Sequence, residues 1–495
     1  MSALPCCRVL LPLFALSFAM PGEAGVIHSF TSLNNGTNAD GANPAAGLVL
    51  SGGVLCGTTA NGGLQGAGAA FYAAPDGSSF ARFRSFTNTP DAGNPQADLM
   101  DSGNGLFGTA SGGGIRGVGT LFVIQTNGSG SRILDFNSVD SNTATNASGA
   151  SPNAAVVLSG GTLYGTAGAG GFFANGVVFS AATNGSTSSV LHTFTVLDSN
   201  TGTNADGAIP QGNLVLAGNT LYGTTSAGGA GGNGTVFSID TTGNSFTNLY
   251  SFSALDPVTG TNTDGAIPCG GLVLSNGVLY GTTLAGGFGE NGVIFSLNTD
   301  GSGFTVLHHF TAVDPSTRTN SDGARPVANL LLAGGTLYGT AAAGGSSTSG
   351  TVFSIGAGGG QFQTLYSFAA VNAGNGTNTD GAYPVGDLLL VGNSLYGTTF
   401  AGGPAAAGTV FSVALPVPVV PALITGIVRN PDGSVTLSFL GGPNSTNVIQ
   451  ATGVLGLSAF WQNISTNVAD GGGIWQFTDP RAGLFPSQFY RSFSP

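Results

Sequence analysis

The sequence predicts an all-β fold, a seven-bladed β-propeller of four-stranded blades followed by a small β-sandwich, and three observations predict it. A Leu-Tyr-Gly core recurs seven times with spacings of 51, 57, 58, 58, 58 and 58 residues. Each core is followed by further apolar markers set off by glycine-bearing turns, the pattern of four short strands per unit. One marker of the last kind is missing at the end of the array and present at its start, as closure of a ring requires.

The elements follow in chain order. Residues 1–24, MSALPCCRVLLPLFALSFAMPGEA, have one arginine, an apolar run from Val9 to Met20 and a small-residue exit at Gly22 and Ala24. That is the pattern of a secretory signal peptide, too short to span a bilayer, and it predicts an exported, extracellular protein with no transmembrane segment in the mature chain. Cys6 and Cys7 leave with it. Cys56 and Cys269 remain, far apart in the array, and are expected to be free thiols.

The repeat array occupies 25–415. Its cores are Leu55-Cys56-Gly57, Leu106-Phe107-Gly108, Leu163-Tyr164-Gly165, Leu221-Tyr222-Gly223, Leu279-Tyr280-Gly281, Leu337-Tyr338-Gly339 and Leu395-Tyr396-Gly397. Phe71, Phe122, Phe179, Phe237, Phe295, Phe353 and Phe411 close the next marker; Phe86, Phe136, Phe194, Phe252, Phe310 and Phe368 close the third, and Phe30 supplies its seventh copy. In the fourth unit the expected strands are Asn213–Leu216, Thr220–Thr225, Thr235–Ile239 and Phe246–Phe252. They do not alternate apolar with polar residues, which predicts sheets covered on both faces. Strand 26–30 is expected to pair near 408–413 and complete the seventh blade. A β-helix is the main rival, but its turns are shorter than 58 residues and do not explain the displaced marker. A proline-rich linker at 416–422 leads to the module 423–495, with strands expected at 434–439, 447–452, 474–478 and 489–493.

Composition excludes several functions. Only 6% of the 495 residues are charged against 41% hydrophobic, the opposite of a disordered chain. The net charge is −12 and every basic residue is arginine, so nucleic acid is not an expected partner. Without lysine, Schiff-base, P-loop and Ser-Lys chemistry are absent. The glycine-rich segment 228–234 lacks the helix and lysine of a phosphate cradle.

The units from Val26 to Leu415, with LYGTT, GG, G-T-V-F-S, LYSF and DGA-x-P in order, resemble the Gloeo/Verruco repeat of secreted bacterial proteins. The resemblance implies export and an extracellular role, and brings no enzymatic activity and no binding residues. Relatives often end in a sorting signal and membrane anchor, which this ending does not show.

Candidate chemistry is sparse. Asn38 and Asp40, Asn204 and Asp206, Asn262 and Asp264, Asn320 and Asp322, and Asn378 and Asp380 recur between blades as Asn-x-Asp-Gly, expected on one face with the glycine-rich connections. Their oxygens suit calcium, which makes Asp40, Asp206, Asp264, Asp322 and Asp380 the metal candidates, but the pattern is not an EF-hand and reads first as turn chemistry. Blades 2 and 3 depart from it at 91–95 and 147–152. His28, His192 and His308 fill the slot of Tyr250 and Tyr366, which makes them strand residues; His309 lacks that explanation. Asp98 and Asp387 are the axial candidates for a polysaccharide hydrolase or lyase, yet they share a column with Asn213 and Asn329 and read as variants of a turn residue. Trp461 and Trp475 suit the core of the module better than sugar stacking. No catalytic residue and no cofactor follows, calcium apart. The reading is a non-catalytic extracellular scaffold that binds a glycan, an envelope component or a protein, with a polysaccharide-acting enzyme and a structural matrix protein as alternatives.

Overall fold

In the fourth repeat, TLYGTT forms the strand Thr220–Thr225, buried from Leu221 onward. Covered on both faces, it has no reason to alternate apolar with polar residues. It pairs antiparallel with Thr235–Asp240, and Gly223 stands opposite Phe237. A Cβ at Gly223 would lie 2.6 Å from the Phe237 ring and 2.7 Å from Leu214. Glycine is needed there to admit a neighbouring ring, not to make a turn. Val215–Ala217 and Thr247–Ser251 flank this pair to complete a four-stranded sheet. The first strand is shorter than the sequence predicts: Asn213 lies ahead of it, outside the ladder.

The computed structural model describes residues 24–415, 423–441, 446–452, 462–470, 472–484 and 487–493. The signal peptide apart from Ala24, the linker 416–422, Cys6, Cys7 and Trp461 lie outside the described residues. Seven four-stranded antiparallel sheets follow one another in the unit ending at Leu415, in a propeller-like arrangement. Their first strands are Val49–Ser51, Met100–Asp101, Val157–Ser159, Val215–Ala217, Val273–Ser275, Leu331–Ala333 and Leu389–Val391. The seventh sheet takes its outermost strand from the front of the chain, where Ala24–Ser29 pairs with Thr409–Ala414. The last sheet is also bonded to the first: Thr398 Oγ1 donates to the Ala46 carbonyl at 2.6 Å, and the Asn43 N–H to the Ala407 carbonyl at 2.8 Å.

The core is distributed between sheets. Tyr222, Val236 and Phe252 of the fourth pack against Leu272, Leu279 and Phe295 of the fifth, and Phe30, Leu48 and Phe71 pack against Tyr396 and Val410 where the last sheet meets the first. No sheet buries its faces alone, which is why the phrase must recur. The two glycine-bearing connections of each repeat bond to each other, as at Ala208 and Ala227, so they share one face of the unit.

In the C-terminal unit, Leu423–Arg429, Val435–Leu440 and Ile474–Asp479 form one sheet, and Gln462–Val468, Thr446–Thr452 and Phe489–Phe493 form another. Leu437, Phe439 and Trp475 of the first share a core with Ile449 of the second. Four of these strands match the sequence expectation. Leu423–Arg429 and Gln462–Val468 have no apolar alternation to announce them. Among the described residues no helix is long and apolar enough to cross a membrane.

Candidate functional site

The Asn-x-Asp-Gly connection separates into two devices. Asn204 is a knot. Its Oδ1 accepts the N–H groups of Gly207 at 2.9 Å and Gly229 at 2.8 Å, while its Nδ2 donates to the carbonyls of Gly207 at 2.8 Å and Thr195 at 3.0 Å. This ties the connection between sheets to the glycine-rich connection within one. Asn38, Asn146, Asn262, Asn320 and Asn378 make the same set of bonds. The third repeat therefore keeps the knot although Ser148 replaces its aspartate.

The aspartate turns the other way, under the outermost strand of the preceding sheet. Asp206 accepts His192 Nε2 at 2.9 Å, the Thr195 N–H at 3.1 Å and the Thr195 hydroxyl. Asp40 and Asp322 do the same with His28 and His308, and Asp264 and Asp380 take the hydroxyls of Tyr250 at 2.8 Å and Tyr366 at 2.6 Å. The rings stack on phenylalanine, His192 on Phe246 at 3.8 Å and Tyr250 on Phe304 at 3.9 Å. Burial works to raise the Asp206 carboxyl, but the bonds from His192 and Thr195 outweigh it and hold the group below the usual carboxylate value; Asp40 and Asp322 follow the same rule. The five calcium candidates thus sit in separate connections, each engaged by its own ring. Among the described residues no three His, Cys, Asp or Glu side chains gather to hold a metal. The sequence carries a signal for these pairs that residue-by-residue reading passes over: His192–Asp206, Tyr250–Asp264, His308–Asp322 and Tyr366–Asp380 are all 14 apart.

Two residues beyond each Asp-Gly step, just before the proline, the backbone is left-handed in every repeat. Asn43, Asn94, Ser151, Ile209, Ile267, Arg325 and Tyr383 have φ between 54° and 61°. The geometry is a stitch between sheets. The Ile267 N–H reaches the Asn233 carbonyl of the previous sheet's connection, and the Ile267 carbonyl accepts the Leu284 N–H of its own. Asparagine tolerates this region; isoleucine, arginine and tyrosine do so at a cost of about 1 kcal/mol or more.

Four residues further on, the column Gly47, Asp98, Ala155, Asn213, Gly271, Asn329 and Asp387 meets around the axis. Small residues leave room for large ones. The Gly47 N–H donates to Asp98 Oδ1 at 2.5 Å, the Ala155 N–H to Asn213 Oδ1 at 2.7 Å, and the Gly271 N–H to Asn329 Oδ1. Asn213 Nδ2 bridges Asp98 Oδ2 at 3.0 Å and Asp387 Oδ2 at 3.5 Å, and Asn329 Nδ2 reaches Asp387 Oδ2 at 2.5 Å. Burial, then the charge of Asp98, pushes the Asp387 carboxyl well above the usual range, with a hydrogen bond to Asp98 favouring its acid form. Reading Asp98 and Asp387 as variants of a turn residue is therefore incorrect: they are innermost residues that meet across the axis. The threonine behind this column donates to the next sheet in five repeats, as Thr224 does to the Gly270 carbonyl at 2.8 Å. Thr58 and Thr340, which precede the two aspartate-bearing sheets, have no partner for their hydroxyls.

The remaining candidates are structural. His309 stacks on Phe288 at 4.1 Å and accepts its N–H. Trp475 stacks on Phe439 at 3.8 Å inside the C-terminal unit. Cys56 and Cys269 are free, and burial pushes both thiols up to about 11, with Asp101 adding to the effect at Cys56.

A family model described as the Gloeobacter/Verrucomicrobia repeat matches residues 17–201, 140–263 and 258–436. No curated protein matches the chain. Among solved structures, a putative 6-phosphogluconolactonase from Bacteroides uniformis is similar at 14% identity and TM-score 0.42, covering 68% of this chain and 88% of that one. An oligogalacturonate lyase from Vibrio parahaemolyticus is similar at 8% identity and TM-score 0.44, covering 80% and 99%. YCF48 bound to D1 peptide is similar at 11% identity and TM-score 0.40, covering 81% and 99%.

Proposed function

The chain belongs to the Gloeobacter/Verrucomicrobia repeat family, and from that premise we propose that it is an exported seven-bladed propeller with a terminal sandwich module, binding an extracellular glycan or protein on the face of its connections. The observation that carries this reading is the left-handed rim. Its backbone is the same in seven copies because it stitches the sheets, while its side chains range from asparagine and serine to isoleucine, arginine and tyrosine, with Ile209, Ile267, Arg325 and Tyr383 at strained positions. A fold that needed only the stitch would keep asparagine or glycine there. Beside the rim the glycine-rich connections present Phe172, 75% exposed, and Phe288, 67% exposed, rings with the large apolar area that binding faces use.

A non-catalytic role is supported by the axial carboxyls. Glycosidic cleavage needs two carboxyls flanking one bond with the substrate between them, whereas Asp98 and Asp387 share the amide nitrogen of Asn213 and every one of their oxygens accepts a donor of the axial ring. The Asp387 carboxyl, raised by burial and by Asp98, is the one feature that favours a hydrolase or lyase. Polysaccharide breakdown by the protein, lost in Asp98→Asn, would support that second reading.

The test is a glycan and polysaccharide array probed with residues 25–495, in calcium and in chelator, beside Arg325→Ala/Tyr383→Ala. Specific signals that survive chelation and fade in the double variant are expected. Signals that vanish with chelator would return the aspartates to the role of calcium ligands, and signals untouched by the double variant would remove the rim from the binding face.

A further inference from the structure

Between the rim and the axial ring lies a cavity of about 90 Å³. Its collar is formed by the residue after each proline, and there the sevenfold repeat divides into two halves. Gln96, Asn153 and Gln211 stand on three consecutive sheets; Cys269, Val327, Val385 and Ala45 stand on the other four. One half offers carboxamides, which donate and accept, and the surface that lines the cavity itself is almost wholly polar. The floor is the ring of Asp98, Asn213, Asn329 and Asp387.

Three features define what fits. Asn153 Oδ1 is covered and has no hydrogen-bond partner, a cost that a ligand donor would remove by drawing the carboxamide round to face the cavity. The amide oxygens of Asn213 and Asn329 are turned away, onto the N–H groups of Ala155 and Gly271. These are the atoms a hard cation would need, so the floor shows a ligand amide nitrogens and carboxyls already bonded to them. A hydroxyl group, which gives and takes hydrogen bonds, suits such a surface. The collar adds the carboxamides of Gln96 and Gln211, further groups that both give and take hydrogen bonds.

We propose that this pocket takes one edge of an uncharged, polyhydroxylated group, a sugar residue or polyol, with its hydroxyls on Gln96, Asn153 and Gln211. The proposal rests on the connection-face reading and specifies what enters at the centre of that face. At about 90 Å³ the cavity has the volume of about three waters, room for the edge or hydroxymethyl end of a ring and not for an oligosaccharide.

The test uses residues 25–495 and small probes: the methyl glycosides of glucose, galactose and mannose, N-acetylglucosamine, glycerol, and calcium chloride, followed by saturation-transfer NMR and calorimetry. At least one glycoside should bind, with at least a fivefold loss in Asn153→Ala. Asn153 makes no hydrogen bond in the resting protein, so its truncation reports on the ligand and not the fold; Gln211→Ala, on the surface of the collar, is the second variant. A glycoside that binds where glycerol does not identifies a sugar, and glycerol binding as tightly identifies a free polyol. Arg325→Ala/Tyr383→Ala should leave glycoside binding within twofold while weakening array signals. Array binding without glycoside binding, or glycoside binding untouched in both collar variants, overturns the pocket and leaves the face; glycoside binding without array signals overturns the face and leaves the pocket. Calcium binding that disappears in Asp98→Asn would replace the sugar with a cation.

Discussion

Asp206, under the outer wall, and Asp387, at the axis, are both aspartates of the repeat withdrawn from bulk solvent, and their carboxyls shift in opposite directions. Burial opposes the charge in both. Around Asp206 a histidine and a threonine supply donors enough to keep the charge. Around Asp387 a second carboxyl stands within the same ring, and two negative charges there cannot both persist cheaply. The outer device recurs in five connections, each with a histidine or tyrosine ring on the aspartate, whereas the axial column changes from glycine to alanine, asparagine and aspartate as it passes around the ring. Uniformity marks the positions that hold the sheets together, and divergence at fixed backbone marks those on which the proposed binding face rests.

The uniform layer should break hardest at the knot. Asn204→Ala removes four hydrogen bonds at once and strands two N–H groups and two carbonyls. At about 0.5–1.5 kcal/mol for each bond, a loss of about 2–4 kcal/mol is expected in denaturant unfolding of the propeller unit, and Asn262→Ala should match it. A loss under about 0.5 kcal/mol would mean that the two connections hold together without it.

The ring–carboxylate pair comes next. His192→Ala forfeits the stack on Phe246 and leaves Asp206 without its Nε2 donor, an expected cost of about 2 kcal/mol. His192→Tyr should cost less than half as much, since Tyr250 and Tyr366 fill the same slot. Because the folded-state carboxyls of Asp40, Asp206 and Asp322 lie below their unfolded values, the unfolded chain takes up protons first as the pH falls. Their stabilisation is complete above about pH 4 and is lost below it. An acid limb unchanged in Asp206→Asn would show that these pairs do not set it.

The axis should respond with the opposite sign. A carboxyl raised in the folded state stabilises the protein below the unfolded value and loses that contribution as the pH rises through the folded one, so Asp387 should make the wild type weaken on the alkaline side of the ordinary carboxylate range. Asp98→Asn removes the opposing charge and should flatten this slope in melting temperatures taken from pH 5 to 9. A slope that persists unchanged would separate the two carboxyls.

Much of this layout is legible in the sequence. The Leu-Tyr-Gly spacing and the displaced Ile27-His28-Ser29-Phe30 predict the four-stranded sheets and the strand that completes the last one, because strand and turn signals are local. The chemistry was less legible, since it depends on which columns meet in space. Asp98 and Asp387 are 289 residues apart, and only the closed array brings them to one amide nitrogen. The separation of 14 between ring and aspartate, kept in four of the five pairs, is visible in the sequence but needs the bulge in the outer strand to turn the ring inward; the register of Val236 and Phe237 against Tyr250 and Asn248 records that bulge. The left-handed rim was not legible at all, because isoleucine and tyrosine before proline give no sign of positive φ.

The smallest expected effect is the most discriminating for the outer layer. Asp380 is the one member of its set with an unpartnered oxygen, Oδ1. In the other four connections that oxygen accepts the hydroxyl of Thr31, Thr195, Ser253 or Thr311, and here Ala369 stands in the same place, its N–H bonded to Oδ2 at 3.0 Å. Ala369→Thr supplies the missing hydroxyl to a buried, otherwise complete site. A charge-assisted bond of this kind contributes about 1.5–3 kcal/mol when formed without strain, and ordering the new side chain takes back part of it, leaving an expected gain of about 1 kcal/mol. The control is internal: Thr195→Ala, which recreates at Asp206 the defect found at Asp380, should lose at least as much as Ala369→Thr gains. If both substitutions are neutral, the hydroxyl does not stabilise these sites, and the burden falls on the ring and the backbone N–H alone.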